Sequence, residues 1–287
     1  MEKESGNRYY LVTGASTGIG RACAWELDRR GYHVFAGVRS RQAGEKLQVN
    51  ASSRLKPVQL DVTDAGQIRA AADCIATQTG EAGLAGLVNN AGIAMPGPLE
   101  LLPIEQFRRN LEVNVIGHVA VTQAFVPLLR KGSGRIVNIG SINGGIAPPY
   151  MGAYGASKFA MEAVTDVLRV ELRRWGIKVV IVEPGPIDTP IWEKSIAKAD
   201  EMAANVSPEV LALYEEELEI MRKAVARSIN RAAPVERVVR AVMHGLIAKR
   251  PKTRYYLGLD VRWCFKMLKL PSDRFRDWLI RRLIGLP

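Results

Sequence analysis

The stretch Thr13-Gly14-Ala15-Ser16-Thr17-Gly18-Ile19-Gly20 decides how the chain folds. It follows Tyr9-Tyr10-Leu11-Val12, an apolar run that reads as a strand, and leads into a helical pattern from about Gly18 to Arg30. A glycine-rich turn at such a junction presents free backbone N–H groups and the positive end of a helix dipole, where a pyrophosphate would sit. Gly14 suits a tight turn, Gly18 a close approach of backbone to phosphate, and Gly20 close packing of helix on strand. The spacing is G-x-x-x-G-x-G rather than the commoner G-x-G-x-x-G, and an ordinary glycine-rich βα turn is the competing reading.

Outward from this turn, strands and helices alternate. Strands are expected at His33–Gly37, Leu55–Leu60, Ala85–Asn89, Arg135–Ile139 and Lys178–Glu183. Helices are expected at about Arg41–Asn50, Ala65–Thr79, Ile104–Leu129 (stopped by Pro127 and Gly132) and Ala153–Trp175. Regular alternation implies βαβ units and a parallel sheet. Right-handed crossovers put helices on both faces, giving an α/β, doubly wound, Rossmann-type domain. After Pro184 the pattern changes: residues 188–233 read as a helical lid, Pro234–Lys249 as a helix and Thr253–Leu257 as a last strand. Residues 1–259 are therefore expected to form one domain, followed by an amphipathic basic tail, 260–287.

Composition narrows the class. The 287 residues carry 40 Lys+Arg against 29 Asp+Glu, a net charge of +11, with 47% hydrophobic and 24% charged residues. That balance excludes a disordered or fibrous chain. Three scattered cysteines make neither a disulfide framework nor a zinc box, and the isolated His33, His118 and His244 suggest no metal site. The N-terminus lacks an apolar signal core and no long uninterrupted apolar run is present, so a cytoplasmic protein is expected. The basic residues are dispersed and no nucleic-acid module is recognisable, so nucleic acid is not an expected partner.

Chemistry-bearing residues fall at predicted strand ends. The second strand ends Gly37-Val38-Arg39-Ser40, with no carboxylate for a ribose 2′-hydroxyl. Arg39 instead suits a 2′-phosphate, helped by Ser40 and Arg41, which points to NADP with NAD as the alternative; a solvated loop charge is the bland account. Asp61 closes the third strand, where it suits the adenine end or, like Thr63, an N-cap. Tyr154 and Lys158 stand four residues apart on one helix face. An ammonium and a cationic nicotinamide beside a phenol both favour the phenolate. Ser141, just past a strand, can donate to a substrate oxygen, and Asn114 in mid-helix needs partners if buried. In an open parallel sheet, ligands bind beyond the carboxyl ends of the strands. Gly14, Arg39, Asp61, Asn89, Ser141 and Pro184-Gly185 all lie on that edge.

Taken together, TGASTGIG (Thr13–Gly20), NNAG (Asn89–Gly92), Asn114, Ser141, YGASK (Tyr154–Lys158) and EPGPIDTP (Glu183–Pro190) make the chain resemble the classical short-chain dehydrogenase/reductase family over roughly residues 8 to 260. The resemblance implies NAD(P)-dependent hydride transfer between an alcohol and a ketone or aldehyde. It implies Tyr154 as general acid/base, Ser141 on the substrate oxygen, Lys158 on the nicotinamide ribose and Asn114 in a proton relay. It places Gly14, Ser16, Thr17, Gly18, Ile19, Gly20, Arg39, Asp61, Val62, Asn89, Ala91, Gly92, Tyr154, Lys158, Pro184, Gly185, Ile187 and Thr189 around the cofactor. It also implies a homodimer or homotetramer through the two long helices. VFAGVRS (Val34–Ser40) and the segment from Arg254 onward are similar to the branch containing retinol and hydroxysteroid dehydrogenases, hence a lipophilic substrate. A catalytically idle NADP-binding regulator on the same fold is the alternative. Apolar residues among seven basic ones in the tail suit a membrane-surface helix or, equally, a cover for the site or a subunit contact.

Overall fold

A computed structural model describes residues 8–258 and 272–286. Seven strands form one parallel sheet in the order β3-β2-β1-β4-β5-β6-β7. They are β1 (Tyr9–Val12), β2 (His33–Val38), β3 (Leu55–Gln59), β4 (Gly86–Asn89), β5 (Arg135–Ile139), β6 (Lys178–Pro184) and β7 (Arg254–Leu257). Central strands such as β4 and β6 are apolar on successive residues, because both faces are covered. The expected doubly wound fold is what forms.

One face of the sheet packs on α1 (Gly18–Arg29), α2 (Arg41–Gln48) and α10 (Glu236–Ile247), through Cys23, Leu27, Leu47, Val238 and Val242. The other packs on α3 (Ala65–Thr79), α5 (Gly117–Lys131) and the end of α6 (Gly152–Glu171), through Ile68, Ile75, Val121, Phe125 and Leu172. Strand order reverses between β1 and β4, whose registers pair Leu11 with Leu87 and Val12 with Val88. That switch opens a crevice at the carboxyl ends of the strands.

Three local expectations are corrected. The helix expected to end at Leu129 runs on to Lys131 with Pro127 inside it, because Pro127 and Gln123, the carbonyl of which loses its donor, both lie on the exposed face. Its N-terminal part is not uniform either: α4 (Ile104–Leu111) passes through a π-turn, Glu112–Ile116, before α5. The N-cap of α3 is neither Asp61 nor Thr63 but Asp64, which accepts from the backbone N–H groups of Gly66 and Gln67 at 2.8 and 3.0 Å. The continuous helix Ile104–Lys131 is long and apolar enough to cross a membrane by length and composition. Here its inner residues Val121, Phe125 and Leu129 are fully buried against the sheet.

After β6 the chain leaves the sheet, and the two ends of this excursion meet before α10 and β7 rejoin it. Ile187 and Ala233 form a parallel bridge, flanked by Asp188 N–H to Ala233 O at 3.0 Å and Ala233 N–H to Pro186 O at 2.9 Å. Between these anchors lie α7 (Ile191–Ala203), α8 (Pro208–Ala212) and α9 (Glu215–Asn230), none of which has a fully buried residue. The last helix, α11 (Asp273–Ile284), packs beside α9, with Arg227 donating to the carbonyl of Ile284 at 3.2 Å. The expected tail residues 260–271 lie outside the described residues.

Candidate active site

The glycine-rich turn is held from below by the end of β4. Thr13 Oγ1 donates to Val88 O at 3.3 Å and accepts from the N–H groups of Asn90 and Ala91 at 2.9 and 3.1 Å. Asn90 Nδ2 donates to the carbonyls of Thr13 and Gly14 at 2.9 and 3.2 Å. Gly14 and Gly18 adopt positive φ values of 62° and 55°, which side chains rarely tolerate. A Cβ at Gly20 would stand 2.4 Å from the Gly14 carbonyl oxygen, so only glycine lets the helix start this close to the strand. Thr17, the N-cap of α1, makes no side-chain capping bond, so the first amides of the helix keep their capacity for an anion. Ser16, Thr17, Gly18 and Ile19 are partly exposed around this cradle. Thr189 Cβ comes within 3.3 Å of where a Gly18 Cβ would stand, so the segment that follows β6 meets the turn. A dinucleotide phosphate group fits this arrangement.

At the end of β2, Arg39 is exposed and has no ion pair among the described residues. Its two expected helpers are engaged elsewhere. Ser40 caps α2 by accepting from Ala43 N–H at 3.3 Å, and Arg41 pairs with Glu45 at 2.9 Å. Asp61 accepts from the N–H and hydroxyl of Thr63 at 3.0 and 2.8 Å, beside buried Val62. Asn89 is 1% exposed, and its amide donates to Thr122 Oγ1 and Asn138 Oδ1, both at 2.9 Å. Its side chain thus ties β4 to β5 and α5, leaving the backbone to border the crevice with Ala91 and Gly92. Pro184, Gly185 and Ile187 lie across the crevice at the end of β6.

On that side, Asn114 occupies the π-turn, a helix irregularity frequent at functional sites. Its Oδ1 accepts from Ile93 N–H at 2.9 Å, and its Nδ2 faces Ile93 O, Asn110 Oδ1 and Ser157 Oγ at 2.9–3.0 Å. The buried amide therefore has the partners it requires. Lys158 Nζ donates to Ile139 O at 2.9 Å and stands 5.5 Å from the Tyr154 ring centre. Ser141 is 8% exposed at the end of β5, and its Oγ accepts from Asn143 N–H at 3.2 Å.

The electrostatics correct one expectation. Burial pushes the Tyr154 phenol above its ordinary value, and a hydrogen bond with Ser141 only partly opposes this. Burial also pulls the Lys158 ammonium down to about 8, against the field of Glu162. In the protein by itself, desolvation outweighs the help that Lys158 was expected to give the phenolate. His118 is held neutral, down to about 4, by burial and then by Lys158, while its Nε2 lies 2.6 Å from Ala91 O.

Two residues of this site carried little signal. Thr13 and Asn90 hold the turn together, yet their task is to bond backbone, and only the doubled asparagine after a strand hinted at it.

Comparison with known proteins agrees with this geometry. The short chain dehydrogenase family profile matches residues 8–200. The chain is 38% identical to retinol dehydrogenase 5 of Mus musculus, over 96% of this chain and 89% of that protein. It is 39% identical to 3-amino-tetrahydro-pyrrolizinone reductase of Xenorhabdus hominickii, over 88% and 87%. Among solved structures, a short chain dehydrogenase from Burkholderia cenocepacia in complex with NADP superposes with a TM-score of 0.73 and 27% identity, covering 98% of this chain and 99% of that one.

Proposed function

The chain belongs to the short-chain dehydrogenase family, and on that premise we propose that it is an NADP-preferring oxidoreductase acting on a lipophilic alcohol or its ketone or aldehyde. The observation that carries the reading is the meeting of Asn114, Ser141, Tyr154 and Lys158 on the same sheet edge as the glycine cradle. Similarity to a retinol dehydrogenase supports a retinoid, a steroid or a comparable apolar substrate.

The Gly14–Gly20 turn would hold a nicotinamide cofactor, which would supply or accept the hydride. Ser141 donates a hydrogen bond to the substrate oxygen and fixes the carbonyl. Tyr154 delivers the proton to that oxygen in reduction and removes it in oxidation. A phenol raised by burial keeps its proton at neutral pH, which suits it as the acid for carbonyl reduction. Lys158 binds the ribose and stabilises the phenolate left after proton transfer. Arg39, free of other ion pairs among the described residues, takes the 2′-phosphate.

Steady-state assays with NADPH and NADH against retinoids, steroids and medium-chain ketones test the assignment. Stoichiometric NADPH oxidation with apolar carbonyls is expected. Cofactor binding without turnover across the panel would replace it with an idle NADP-binding regulator.

Two finer readings belong with it. Phe159, Val167 and Val170 are exposed on one face of α6, as is Ile116 on the neighbouring helix, which supports a homodimer or homotetramer through these helices. Phe275 and Trp278 are each 50% exposed on α11, beside Arg274, Arg276, Arg281 and Arg282, which supports contact with an anionic membrane surface. Cosedimentation with phosphatidylserine vesicles, lost when residues 272–287 are removed, checks the latter.

A further inference from the structure

Behind the candidate catalytic face runs a charged network that the reaction as described leaves unused. Glu162 lies one turn beyond Lys158 on α6. Its Oε2 accepts two hydrogen bonds from Arg254 of β7, from Nε at 3.1 Å and Nη2 at 2.9 Å. The same guanidinium reaches Asp166 Oδ1 at 2.8 Å and stands 3.6 Å from Glu183 Oε1, on β6. Asp166 in turn pairs with Arg169 at 2.5 Å. Glu162 is therefore pinned through one oxygen, while its Oε1 is buried without a hydrogen-bond partner. A Cβ at Gly144 would stand 3.2 Å from both Glu162 Cγ and Lys158 O, so the loop carrying Ser141 rests directly on this part of α6.

A buried ammonium is costly unless an opposite charge compensates it. Among the described residues, the titratable or charged groups acting on Lys158 are Tyr154 and Glu162 on α6 and His118 on α5. Only Glu162 is a carboxylate. The groups acting on Glu162 itself are Arg254 and Tyr256 of β7, with Asp166 and Glu183 beyond the guanidinium. Three carboxylates around Arg254 fix the guanidinium, and the guanidinium fixes Glu162. We propose that Glu162 is a positioning residue for proton transfer, holding Lys158 in its ammonium form, and that Arg254 is the clamp that keeps Glu162 in place. The proposal rests on Lys158 having the role assigned above.

Glu162→Gln keeps the shape and removes the charge, while Glu162→Asp withdraws the charge by one methylene. The Lys158 side-chain ammonium can be titrated by nitrogen-15 NMR, its signal identified by its loss in Lys158→Arg. The midpoint, about 8 in the parent protein, is expected to fall by about one unit or more in E162Q, with E162D between the two. The alkaline limb of kcat/KM for alcohol oxidation should move to lower pH in the same order. A purely structural role would lower Tm or kcat/KM with the limb unmoved. Either variant, folded and with the parent midpoint, overturns the proposal. The NMR titration needs no turnover, so absence of activity would count against the assigned reaction and leave this test intact.

Discussion

At the scale of single residues, the site joins a phenol and an ammonium that both resist charge. Tyr154→Phe is expected to lower kcat by about two to four orders of magnitude while leaving NADPH affinity near its parent value, as read by fluorescence titration and steady-state rates. His118 makes a different kind of prediction. Its folded value of about 4 lies below the ordinary 6.5, so on acidification the unfolded chain takes up the proton first. Stability from this group is complete above about pH 6.5 and is lost as pH falls towards 4, by up to about 3 kcal/mol. Urea midpoints at pH 7 and pH 4.5 should therefore converge in His118→Gln relative to the parent. A parent-like drop in that variant would remove His118 from the account. Chemistry was legible here because Tyr154, Lys158, Ser141 and the glycines use side chains, or their absence, in recognisable spacings. Their protonation balance was not, since it depends on how much solvent the fold removes from Tyr154 and Lys158.

At the scale of elements, the candidate site is assembled from strand ends, and the tip of β2 carries the residue proposed to choose the cofactor. Arg39→Asp replaces a free cation with an anion facing the expected 2′-phosphate. A charge-assisted contact of this kind is worth about 1.5–3 kcal/mol, so the ratio of kcat/KM for NADPH over NADH should fall about tenfold or more. An unchanged ratio would mean that Arg39 is only a solvated loop charge. The strands were easy to place because β4, β5 and β6 are short apolar runs bounded by turn residues. Two features of the helices were hidden. The π-turn at Asn114 comes from bonds to Ile93 and Ser157, which are distant in sequence. The continuation past Pro127 depends on that residue and Gln123 facing away from the sheet once the helix has docked. Local propensity says nothing of either.

At the scale of the whole molecule, the apolar residues left outside are as informative as the core. Val170 is 70% and Val167 52% exposed on α6, on the face proposed above as a subunit contact. Val167→Asp with Val170→Asp should shift the mass measured by light scattering from a multiple of 31.6 kDa to the single-chain value. A parent protein already at that value would leave the face without a partner. The segment between β6 and α10 has a consequence of another sort. Its two ends meet at the Ile187–Ala233 bridge, while in between Met202 packs near Gly97 and Tyr214 bonds Glu100. Closing such a loop depends only weakly on its length, each doubling costing about 0.6 kcal/mol. A donor segment of different length spliced between Pro190 and Ala232, which leaves Thr189 in place, should therefore change which substrates turn over while NADPH affinity stays close to that of the parent. Diversification of substrate range in this architecture would then need a new piece of chain between two fixed points, with the contacts to Gly97 and Glu100 formed afresh.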